Sequence, residues 1–196
     1  MSSKRPADTR DAILDAARNL FEVDGYQAVG LEAVAKKAGV SRQAIYLHFD
    51  SRAALLQALH ERVNAQDVAP AMERVWRQDT ALDALDAFIT ASAKIVPKII
   101  GIANALEAPR RVDAVVEATW EVPKEGRYAD CWRMAEWLKH EGELASGTTA
   151  REAADVLFMM TSIRSFEALV ISQHWSPQRW TRWVRRTLGR VLLDET

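Results

Sequence analysis

Residues 31–52 read LEAVAKKAGVSRQAIYLHFDSR. Leu31, Val34, Ala35 and Ala38 recur at helical spacing and predict a two-turn helix. Gly39-Val40-Ser41 interrupts it, and a second two-turn helix follows from Arg42 to about His48. Helices this short are not stable alone. Packed across a three-residue turn, they have helix-turn-helix geometry. Gly39 supplies a positive φ without a Cβ penalty. Val40 fills the angle between the helices. Ser41 is placed to cap the second helix and present backbone N–H groups to a phosphate.

That second helix has two characters. Ile45 and Phe49, four residues apart, face inward, leaving Arg42, Gln43, Tyr46 and His48 outward. Arg and Gln suit guanine and adenine edges in the major groove. Tyr46 and His48 can bond phosphates. Arg52 opens the next helix, where the dipole disfavours a cation unless an anion is near. The candidate DNA-contact set is Ser41, Arg42, Gln43, Ala44, Tyr46, His48 and Arg52.

On the N-terminal side, a first helix is predicted from about Thr9, as N-cap, to Asp24, with Gly25 as its left-handed exit. Its apolar face is Ile13, Leu14, Ala17, Leu20 and Phe21. Lys4, Arg5 and Arg10 read as a frayed basic terminus, with a DNA-reaching arm as the alternative. On the C-terminal side, Asp50-Ser51 opens a fourth helix with Leu55, Leu56, Leu59 and Val63 as its stripe, and Pro70 ends or kinks it. Another helix starts at Asp79 or Thr80. Pro97 is placed to kink it, and Pro109 and Pro123 are boundaries, leaving helices over about 110–121 and 124–144. Thr149 to Glu152 has capping-box spacing and starts an eighth helix reaching about Gln173. Ser176-Pro177 starts the last. The expectation is all-α, about nine helices and no strand, divided into 1–50 and 51–196.

The 196 residues suffice for a buried core, and 27% charged with 48% apolar residues is an ordinary globular balance. A formal net charge of -1 argues against nucleic-acid binding over the whole surface, so any DNA contact is local. Cys131 is the single cysteine, which excludes an intramolecular disulfide and a cysteine zinc site. On its helix face it reads as packing. A reducing cytoplasm is the expected compartment. The opening residues do not form a signal peptide, and no apolar run is long enough for a membrane span.

The run A-x-x-A-G-V-S-x-x-x-x-Y-x-H-F-x-x-R-x-x-L-L, with Phe21-x-x-x-Gly25-Tyr26 before it, resembles the DNA-binding domain of the TetR (tetracycline repressor) family over about sixty residues. The resemblance implies a homodimer on a double-stranded DNA operator of roughly palindromic sequence, with the third helix in the major groove. It also implies a small-molecule effector of unknown identity that releases a repressor. Two positions depart from the pattern. Val29-Gly30-Leu31 stands where a Thr or Ser usually opens the second helix, leaving a backbone N–H contact there. Arg52 replaces the usual Lys. The implied effector cavity would draw on Ile102, Asn104, Trp120, Met134, Trp137, Met159, Ile163 and Phe166, with Asn104, Arg133 or Arg164 as polar anchors. The implied four-helix dimer interface would use Leu157, Met160, Leu169, Trp180, Trp183, Leu188 and Leu192.

The competing reading is a ligand-binding or enzymatic helical bundle with a purely structural N-terminal hairpin. His140-Glu141 lacks the second His of H-E-x-x-H, and no nucleophile elbow, P-loop or dinucleotide fingerprint is present. No catalytic residue, metal site or cofactor is expected.

Overall fold

The computed structural model describes residues 6–193. Lys4 and Arg5 lie outside them. The helices are α1 (Pro6–Asp24), α2 (Leu31–Ala38), α3 (Arg42–His48), α4 (Arg52–Val63), α5 (Ala69–Trp76), α6 (Ala81–Glu107), α7 (Ala114–His140), α8 (Ala150–Met160), α9 (Ile163–Phe166) and α10 (Pro177–Leu192). Five residues of π-helix, Asn64–Val68, link α4 to α5; counting these linked stretches as one helix makes the total among the described residues nine. No strand occurs among the described residues. The single isolated bridge pairs Leu144 with Leu193.

Prolines account for most departures from expectation. Pro6 heads α1, three residues before the expected cap, because a first-turn N–H has no intrahelical partner to lose. Pro70 likewise lies in a first turn, that of α5, directly after the π-helical interruption that follows α4. Pro123 is not a boundary: α7 runs through it, as α6 runs through Pro97. An internal proline costs about 3 kcal/mol. Downstream of Pro123, Cys131, Met134, Ala135 and Leu138 are all buried. At roughly 1.5–3 kcal/mol for each large side chain, their burial outweighs the interruption.

The eighth helix is shorter than its periodicity suggests. Its capping box forms, with Thr149 and Glu152 bonding reciprocally. It stops at Met160, where Thr161 Oγ1 donates to the Leu157 carbonyl at 2.7 Å. Ser162 then caps α9, accepting from Ser165 N at 3.0 Å. A π turn, Glu167–Ile171, follows. The last helix starts as read, with Ser176 as cap and Pro177 first.

Contacts divide the chain into two units. The first takes the described chain through Ala65 plus Gly101–Glu121, and the second takes Gln66–Ile100 plus the chain from Val122. The expected 50/51 boundary therefore lies inside the first unit. The reason is the core: Leu55, Leu56 and Leu59 of α4, Leu106 of α6 and Val116 of α7 are buried with Ile13, Leu14, Phe21 and Ile45. Arg62 ties α4 to α1 through Asp15 at 2.8 Å. The second unit has its own core, including Phe88, Met134, Leu138, Leu157, Phe166 and Trp180.

Candidate nucleic-acid interface

The hairpin of α2 and α3 is built from caps and a small core. Gly39 ends α2 at φ 70° and ψ 30°, and its N–H returns to the Ala35 and Lys36 carbonyls. Ser41 Oγ accepts from Ala44 N at 3.0 Å and starts α3. Ile45 is fully buried and Phe49 nearly so, which fixes the rotation of α3. Arg42, Gln43 and Tyr46 are consequently exposed, while Ala44 and His48 are half-buried at the edges. Gly30 precedes α2 with no side-chain cap, leaving backbone N–H groups without a hydroxyl partner, as Val29-Gly30-Leu31 implied.

The exposed face carries its own electrostatics. Arg42 pairs with Glu32 of α2 at 3.0 Å and lies 6.0 Å from the Tyr46 ring centroid. Both charges of that pair are largely exposed, so separating them costs at most about 1 kcal/mol. Lys36 and Lys37 are exposed at the end of α2. Arg10 sits 5.6 Å from the Phe49 ring centroid.

Arg52 has a structural role that the sequence did not announce. One guanidinium nitrogen donates to the carbonyls of Tyr26 and Gln27, both at 3.1 Å, and Val29 at 3.4 Å. The guanidinium also lies 5.0 Å from the Tyr26 ring centroid. It closes the α1–α2 loop, and the carbonyls supply the negative partner that its place at a helix start called for.

Leu47 was absent from the expected contact set. It is 79% exposed in mid-α3, beside Tyr46. Helical phase could have found it, since it lies across the helix from Ile45.

The residues expected to line an effector cavity divide between the two units. Ile102, Asn104 and Trp120 belong to the first unit. Ile102 and Trp120 pack on its core, with Arg110 5.2 Å from the Trp120 centroid, and Asn104 is exposed. Met134 and Phe166 are buried in the second unit, with Trp137 and Ile163 half-buried there, whereas Met159 is 60% exposed. Of the proposed anchors, Arg133 stacks 4.2 Å from the Trp76 centroid and Arg164 pairs with Glu167 at 2.7 Å.

Five of the residues expected at a dimer interface turn inward. Leu157, Trp180 and Leu188 are fully buried, and Leu192 and Met160 nearly so. Leu157, Trp180 and Leu188 have no surface of their own to offer a second copy. The half-buried Trp183 and Leu169 keep surface, alongside exposed Met159, Ile171 and Val191. Trp175, Trp183 and Arg179, Arg182, Arg185 and Arg186 line a groove of about 520 Å³ on α10.

Two residues with possible chemistry are occupied structurally. Glu141 accepts from Trp137 Nε1 at 2.7 Å and from Ala81 N at 2.9 Å, holding the start of α6. Cys131 is buried, and burial pushes its thiol pKa up to about 11.

Residues 13–59 match the family model described as bacterial regulatory proteins, tetR family. The chain is 33% identical over 98 residues to the HTH-type transcriptional regulator SrpR of Pseudomonas putida, spanning 47% of this chain and 46% of SrpR. It is also 33% identical over 98 residues to the uncharacterized HTH-type transcriptional regulator TtgW, likewise of Pseudomonas putida, spanning 47% of this chain and 72% of that protein. The match to SrpR thus spans under half of that relative's length. In three dimensions the chain is similar to NalD of Pseudomonas aeruginosa, the secondary repressor of the MexAB-OprM multidrug efflux pump. There the TM-score is 0.75 at 22% identity, over 98% of this chain and 100% of that one. A putative transcriptional regulator from Saccharomonospora viridis in complex with choline gives 0.79 at 13% identity, over 96% and 100%. At these identities the likeness is one of fold.

Proposed function

The chain belongs to the tetR family of bacterial regulatory proteins, and from that premise we propose that it is an effector-released repressor binding a roughly palindromic operator as a homodimer. The observation that carries this reading is the outward face of α3, where Arg42, Gln43, Tyr46 and Leu47 are exposed while Ile45 and Phe49 anchor the helix from behind. Two such helices, about 34–36 Å apart, would enter successive major grooves. Arg42 and Gln43 read base edges, Leu47 meets a thymine methyl, and Tyr46, His48 and the free N–H groups at the start of α2 bind phosphates. Arg52 holds the loop that sets the entry of α2, and its remaining donors are available to the backbone. The cytoplasm is the compartment this function requires.

The dimer face we assign to the exposed sides of α8 and α10. Arg182, Arg186 and Arg190 share one stripe of α10 and make no ion pair within the described chain. Exposed Glu152 and Asp155 lie on α8. A two-fold arrangement that lays α10 of one copy along α8 of the other pairs these charges around Trp183, Met159 and Val191. An effector bound in the second unit acts by favouring the DNA-incompetent conformation, since only differential affinity shifts the equilibrium.

Selection of bound fragments from random duplex DNA tests the reading. It should return an inverted repeat whose binding weakens steeply with salt. Failure to enrich any repeat, or salt-insensitive binding, would overturn it.

A further inference from the structure

Arg127 lies on the apolar stripe of α7, in phase with buried Cys131, Met134 and Leu138. A cation at such a position normally carries a carboxylate with it, because a charge removed from water is costly unless paired. Here it forms no ion pair among the described residues. Asp130, three residues on, attracts it without reaching contact. Asp155 is engaged by the Tyr128 hydroxyl at 2.7 Å. The partners of Arg127 are neutral. One guanidinium nitrogen donates to Thr161 Oγ1, and the rings of Phe88 and Phe158 each lie with centroids 5.8 Å away. Burial of the charged head pulls its pKa down, although the residue keeps part of its surface.

The unused donors keep some contact with solvent. A guanidinium has five N–H groups, and the single hydrogen bond to Thr161 leaves most of them unbonded. No side-chain nitrogen or oxygen among the described residues is both sealed from solvent and unpartnered. The unbonded nitrogens of Arg127 are therefore not sealed from solvent. A planar fork of donors beside two aromatic rings matches a carboxylate attached to an apolar or aryl body: two parallel N–H···O bonds for the anion, and apolar surroundings for the remainder.

We infer that Arg127 is the anchor for an organic monoanion, a carboxylate on an apolar body, in the second unit. This rests on the effector-responsive reading above and names the effector's chemical class. The missing countercharge is thus supplied by the ligand, and α7 is engaged at the Thr161–Ser162 break between α8 and α9.

The test is thermal unfolding of the full chain, without DNA, against carboxylates from benzoate to 4-phenylbutyrate, each paired with its uncharged amide. At least one carboxylate should raise the melting temperature saturably while its amide does not. Arg127→Met should melt at or above the ligand-free parent and lose the response. Arg127→Lys, which keeps the charge but not the fork, should need at least about tenfold more ligand. The inference is overturned if no carboxylate exceeds its amide, if Arg127→Met retains the shift, or if Arg127→Met folds but melts well below the parent. Should Arg127→Met not fold, the carboxylate–amide difference and the Arg127→Lys response decide. DNA takes no part in the readout, so a failed operator selection and a failed anion response are separate results.

Discussion

Among single residues, the contacts proposed for α3 divide into base readers and phosphate contacts. Gln43→Ala should cost about 1–3 kcal/mol of operator binding and relax preference at one base pair, seen by comparing affinities for all four bases there. Equal losses on every sequence would make Gln43 a phosphate contact instead. Glu32→Gln removes a carboxylate from the DNA side of the hairpin and frees Arg42. DNA affinity should rise by at most about 1 kcal/mol, with the gain shrinking at high salt; unchanged binding at low salt would argue that Arg42 is already disengaged. Arg52→Ala should lower folding stability by roughly 1–3 kcal/mol, because three loop carbonyls lose their donor. An unshifted denaturation midpoint would return Arg52 to a purely electrostatic role. The sequence located Arg52 as significant but assigned its charge to DNA, since loop carbonyls more than twenty residues upstream leave no mark in a linear pattern.

At the level of elements, short-range signals were dependable, Ser176-Pro177 among them, and the internal Pro123 was not. The bounds of α2 and α3 follow from apolar spacing, Gly39 and Ser41, all acting within one turn. Ser41→Ala should accordingly cost about 0.5–2 kcal/mol, measurable by urea denaturation. If stability is retained, α3 is held by Ile45 and Phe49 alone. Pro123 misleads because a helix boundary is decided by the balance between one lost hydrogen bond and the burial of a whole face, and burial partners are distant in sequence. The eighth helix errs the other way: its apolar periodicity continues past Met160, while Thr161 and Ser162 redirect the backbone through hydroxyl bonds.

For the whole molecule, apolar periodicity identified which residues avoid water but not which neighbour covers them. Trp180 and Trp183 belong to one stripe in the sequence, yet Trp180 is sealed in its own unit and Trp183 is not. Trp183→Asp should leave a folded chain and split the proposed dimer, whereas Trp180→Ala should cost about 3–5 kcal/mol of stability. Sedimentation and denaturation run together distinguish the two outcomes; an intact Trp183→Asp dimer would move the interface off α10. The sequence alone determined the helical class, the helix-turn-helix and the outward placement of Arg42, Gln43 and Tyr46, because caps, turns and 3.6-residue periodicity act over a few residues. Only the tertiary structure decided that α4 and the ends of α6 and α7 complete the first core, that Arg52 clasps a loop, that five of the seven residues expected at an interface are interior, and that Arg127 has no countercharge among the described residues. Each of those depends on which surfaces meet after the chain has folded back on itself, and contact between distant segments has no local signature.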